Sequence, residues 1–142
     1  MKFILIVLFL CPVSFLYADD CPFINGVFES ANGYEANFET RRTGNQVTEY
    51  VMSRSGRSPD RFRPDGKAAD IDENNHSAGT FTAVCRNGNE VILDIQFLIP
   101  VKLEFKEIYK LNTDGSVDLT GVFTAPEDIV FTHFAPASVA KK

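Results

Sequence analysis

Residues Val101 to Phe123 read Val-Lys-Leu-Glu-Phe-Lys-Glu-Ile-Tyr-Lys-Leu-Asn-Thr-Asp-Gly-Ser-Val-Asp-Leu-Thr-Gly-Val-Phe. Val101, Leu103, Phe105, Tyr109 and Leu111 share one parity, against Lys102, Glu104, Lys106 and Lys110 on the other. A period of two belongs to a strand with one buried face. Past the polar break, Val117, Leu119 and Phe123 are again odd-numbered. A hairpin keeps odd residues on one face only if its loop has an odd length. The loop Thr113-Asp114-Gly115 satisfies this and sets glycine where such loops require a left-handed backbone. This reading predicts Leu111 opposite Val117, Tyr109 opposite Leu119 and Phe105 opposite Phe123.

The same parity argument extends outward. A loop at Arg86-Asn87-Gly88 places Phe81 opposite Leu93 and Ala83 opposite Val91. A loop at Thr43-Gly44-Asn45 places Phe38 opposite Tyr50 and Ala36 opposite Met52. A first strand is expected near residues 24–29 and a last near 129–134. The stretch 55–77 is polar and rich in Gly, Pro and Asn, with room for one short strand at 61–69. No run of a dozen residues has the 3.6 period of an amphipathic helix. The expectation is an all-β domain over residues 19–134, a single up-and-down antiparallel β-barrel of about eight strands. Residues 135–142 read as a flexible C-terminal tail.

The chain begins Met1-Lys2, then an apolar run, then Ala18 ahead of Asp19-Asp20. This is the pattern of a secretory signal peptide over residues 1–18, shorter than the ~20 apolar residues of a membrane span. The expected location is secreted or periplasmic, with no membrane insertion after cleavage. Cleavage removes Cys11 and leaves Cys21 and Cys85, which an oxidising compartment favours as a disulfide. It also removes Lys2, so the mature chain carries 13 basic and 19 acidic side chains, a net −6. An acidic balance argues against a nucleic-acid partner.

A small exported barrel opening with Gly26-Val27-Phe28 resembles the calycin superfamily, whose lipocalins begin their first strand with Gly-x-Trp. It is also similar to small bacterial exported proteins with a Cys-Pro start. The resemblance implies a binding barrel rather than an enzyme. The residues themselves offer no catalytic motif: only His76 and His133 are present, with no nucleophile elbow, no metal-spaced pair and no phosphate loop. The expectation is a monomer without metal or cofactor. Asp70 to His76 is rich in oxygen ligands, but Asn75 and Phe81 stand where a calcium loop needs Gly and Glu. Asn75-His76-Ser77 is a glycosylation sequon.

Glu107 is the oddity of the deciding stretch. In an unbroken strand it points to the apolar face beside Phe105 and Tyr109, opposite Gly121, whose missing side chain leaves room. Phe105, Glu107, Tyr109 and Gly121 are then the candidate contacts of a small-molecule ligand. A bulge at Lys106-Glu107 would instead turn the carboxylate outward. A second candidate lies in residues 41–67, which hold seven basic residues against three acids. Arg54, Arg57, Arg61 and Arg63 are its candidate partner contacts, with the apolar tip 98–101 as a second contact surface. The two expectations are a non-enzymatic protein binding a small ligand in or at the mouth of a barrel, or a protein-contact module such as a secreted protease inhibitor.

Overall fold

The computed structural model describes residues 21–73, 76–98, 102–124 and 127–137. The segment read as a signal peptide, Asn75, residues 99–101 of the apolar tip and the residues beyond Ala137 lie outside the described residues. All regular structure among the described residues is strand. The ten are β1 (Gly26–Ser30), β2 (Glu35–Thr43), β3 (Gln46–Arg54), β4 (Asp60–Phe62), β5 (Ala69–Glu73), β6 (His76–Arg86), β7 (Glu90–Phe97), β8 (Leu103–Leu111), β9 (Val117–Thr124) and β10 (Glu127–Pro136). They form one antiparallel sheet in the order β4-β3-β2-β1-β10-β9-β8-β7-β6-β5.

Sequential strands are therefore neighbours, and β1 closes against β10, but β4 and β5 end the sheet unpaired with each other. The up-and-down order holds. The closed barrel of about eight strands does not: the sheet is a curled half-barrel of ten. The reason lies at 61–69, where one strand was expected. Pro64 cannot donate to a ladder and Gly66 turns the chain at φ +71°. The segment therefore splits into β4 and β5, and β4 is only three residues long. The connection between them is tied to β6 by the Gly66 N–H donating to the Ala83 carbonyl at 2.9 Å.

The deciding hairpin has the expected register: Leu111 faces Val117, Tyr109 faces Leu119 and Phe105 faces Phe123. The other two keep their parity but slide by two residues. In β6–β7, Phe81 faces Ile95 and Ala83 faces Leu93. Asn87 and Gly88 both take positive φ, and the Asn89 N–H reaches the Arg86 carbonyl at 3.4 Å. The Asn-Gly turn thus forms, and Asn89 is the extra residue that keeps the loop odd. In β2–β3, Phe38 faces Met52 and Ala36 faces Arg54. Here a two-residue turn follows Thr43, and a bulge beyond Arg41 leaves Thr48 unmatched, its hydroxyl donating to the Arg41 carbonyl at 3.2 Å.

Curling brings distant strands together over the concave face. Phe38 of β2 packs edge-on against Tyr109 of β8 at 5.6 Å, and Phe62 of β4 stacks on Tyr50 at 5.4 Å and Tyr109 at 6.5 Å. Phe28, Met52, Leu93, Val117 and Phe134 complete this core. Residues 21–25 plug its upper end. Ile24 is buried, its N–H and carbonyl both bound to the Thr40 hydroxyl. The Tyr50 hydroxyl donates to the Pro22 carbonyl at 2.6 Å. The Cys21–Cys85 disulfide fixes the plug to β6, with Cα atoms 5.2 Å apart.

Candidate ligand site on the concave face

Strand β8 pairs without interruption on both sides, so no bulge occurs at Lys106-Glu107. Glu107 faces Gly121 on one neighbour and Leu93 on the other. Its carboxylate points into the concavity, where the Tyr109 hydroxyl donates to Glu107 Oε2 at 2.6 Å. Arg54 arrives from β3 on the same face, because it shares the parity of the buried Tyr50 and Met52. Its guanidinium donates to the Tyr109 hydroxyl at 3.1 Å and lies 4.0 Å from Glu107 Oε2. Burial, reinforced by the Glu107 charge, holds the Tyr109 phenol well above its ordinary value, so it is a neutral donor at physiological pH.

Arg54, Tyr109 and Glu107 thus form one polar cluster inside an otherwise apolar face. An open cavity of about 280 Å³ lies directly against it. Arg54, Tyr109, Met52, Phe38, Leu119 and Phe134 line its interior wall, and the turn between β1 and β2 forms its rim. Two residues from Glu107 along β8, the rings of Phe97, Phe105 and Phe123 stack in a row at 6.0 and 5.3 Å. All three are only half-buried. Gly121 lies directly beside Phe123: a Cβ there would already be in contact with Phe123 at 3.6 Å and Val130 at 3.8 Å.

No family model matches the chain, and no curated protein sequence does. The site is therefore read from its chemistry alone.

The four candidate ligand residues all lie on the concave face. Tyr109 lines the cavity, Glu107 touches it through Tyr109, and Phe105 and Gly121 sit one step lower. The basic residues are dispersed. Arg54 belongs to the internal cluster. Arg61 is exposed and pairs with Glu49 at 3.4 Å, while Arg57 and Arg63 are exposed. Alternation along β3 was the signal for Arg54, hidden by its membership of a basic run. Asp60 was also missed. It faces Met52 across the β3–β4 ladder and contributes to the raised pKa of Tyr109. His133 sits on the outer face, 2.6 Å from Asp118, away from the concavity. No group of three or more metal-binding side chains occurs among the described residues.

Proposed function

We propose that this chain is an exported, non-enzymatic binding protein that holds a small, mainly apolar molecule in its concavity. The carrying observation is the placement of one compensated polar cluster on the same face as a half-buried row of phenyl rings. The rings supply apolar area to an elongated body, and each buried methylene is worth about 0.8 kcal/mol. The cluster supplies orientation. Arg54 offers N–H donors and Glu107 an acceptor, with charges of opposite sign side by side. A neutral head that both donates and accepts, such as a hydroxyl or an amide, matches that pair better than a bare ion. Export and a relationship to the calycins belong to the same proposal.

Uptake of N-phenyl-1-naphthylamine, a neutral fluorophore that brightens in apolar surroundings, tests the reading. The wild-type protein should bind it. Gly121→Leu, which pushes a branched side chain against Phe123 and Val130, should abolish uptake while leaving the circular dichroism spectrum unchanged. A long-chain alcohol should displace the fluorophore at lower concentration than the matching alkylammonium ion. Absence of uptake, or uptake untouched by Gly121→Leu, refutes the proposal.

A further inference from the structure

Strand β10 is only half covered. Its pairing with β9 runs unbroken from Glu127 to Phe134, eight consecutive pairs without a bulge. On its other side β1 pairs only with Phe134, Ala135 and Pro136. There β1 ends at Ser30, because the chain turns through Gly33 at φ +74° with the Gly33 N–H on the Ser30 carbonyl. From Glu127 to His133, no strand among the described residues faces that side of β10. The open edge spans seven residues, about 23 Å at strand rise.

The backbone phase of this edge follows from the covered part. The Ala137 N–H donates to the Val27 carbonyl, so the odd-numbered residues of β10 turn their N–H and C=O groups toward β1. Continuing that alternation, Phe131 and His133 present theirs to the open side. Folded proteins blunt such edges with lysine, proline or bulges. This one has none of the three between positions 127 and 133. Instead Val130 and Phe131 are 48% and 62% exposed on its two faces. An open notch of about 570 Å³ adjoins the edge, with Phe131, Thr132 and His133 on one wall and the turn at Ser30 to Asn32 on another.

Charge narrows the occupant. The charged positions nearest the open edge in the ladder are acidic: Glu127 and Asp128 on β10 itself, Asp118 opposite His133, and Glu29 opposite Ala135. A second copy is a poor fit. It would bring its own Glu127 and Asp128 to the same seam, adding like charge to an acidic edge. We infer that the open half of β10 is a docking edge for an extended, basic peptide segment of a partner protein, which adds there as an antiparallel strand. The apolar side chains of the added strand, sharing one face, would lie against Val130, and the basic ones on the other face would pass over Phe131 toward Asp118 and Glu29. This surface adjoins the concave site, with Ser30, Asn32 and Thr132 lining the cavities on both sides.

Fluorescence anisotropy with labelled peptides of about eight residues, alternating lysine with valine or glutamate with valine, tests it on the full mature protein. The lysine peptide should bind and the glutamate peptide should not, with affinity falling as salt rises. Phe131→Pro removes an N–H on the open side while sparing the bonds to β9, and should weaken binding by about tenfold or more. Phe131→Ala keeps that N–H and should weaken it less. Hydrogen exchange on the wild-type protein reads the location without any substitution: the Phe131 and His133 amides should gain protection when peptide is added. Equal binding of both peptides, protection confined to another edge such as β5, or self-association in place of peptide binding overturns the inference.

Discussion

Gly115 stands at φ +85° with nothing within 4 Å of where a Cβ would be. Its role is therefore conformational and not steric. The Gly115 N–H closes the turn on the Asn112 carbonyl at 3.0 Å. Gly115→Val should cost about 1–2 kcal/mol, the penalty of a β-branched residue in the left-handed region, seen as a lowered urea midpoint. An unchanged midpoint would mean the turn relaxes freely. Asp114, which accepts from the Ser116 hydroxyl and N–H, has its carboxyl held below the ordinary value and steadies the same turn. The glycine's role was legible, because turn chemistry is local. Glu107 was legible as an inward acid for the same reason. Its partner Arg54 was not, since the two meet only through the curl of the sheet. That meeting also alters the chemistry expected of Glu107. Its carboxylate is engaged by Tyr109 and faced by Arg54, so a cationic ligand gains less there than an unpaired acid would offer.

At the scale of strands, parity survived in every hairpin, while the expected register survived in β8–β9 alone of the three. Side-chain alternation fixes which face is buried, and a slip of two residues leaves it untouched. What decided the register of β6–β7 was a second signal, the left-handed pair Asn87-Gly88, which combined with parity to recruit Asn89. In β2–β3 a bulge at Thr48 did the equivalent, and nothing local in the sequence marks it. Gly79 of β6 shows how tightly these ladders are set. It faces Phe97 of β7, and a Cβ built on it would overlap the Gln96 carbonyl oxygen. Backbone cannot yield as a flexible side chain can. Gly79→Ala should therefore destabilise the protein by about 1–3 kcal/mol, as overpacking does, and raise the hydrogen exchange of nearby β6 and β7 amides above that of the distant β2–β3 hairpin. A variant as stable as wild type would show that the strands separate here at little cost.

Over the whole molecule, the concave core depends on two phenols that its burial keeps neutral. Tyr50 and Tyr109 are almost completely inaccessible. Burial raises the Tyr50 phenol, and burial followed by the Glu107 charge raises that of Tyr109. In the unfolded chain both return to about pH 10. Above that pH the unfolded state loses protons that the native state retains, so stability falls as pH rises. Each group contributes a slope of up to about 1.4 kcal/mol per pH unit until its folded pKa is reached. Below about pH 9 neither contributes any dependence. Urea midpoints measured from pH 8 to 11 should therefore be flat at first and then decline. Tyr109→Phe should lower stability at all pH values by removing the hydroxyl between Arg54 and Glu107, yet flatten the alkaline decline. Tyr50→Phe should do likewise through its lost bond to Pro22, which loosens the plug that the disulfide holds. If both variants keep the full wild-type slope, the alkaline loss comes from elsewhere, and the concave core is wetter than its packing implies.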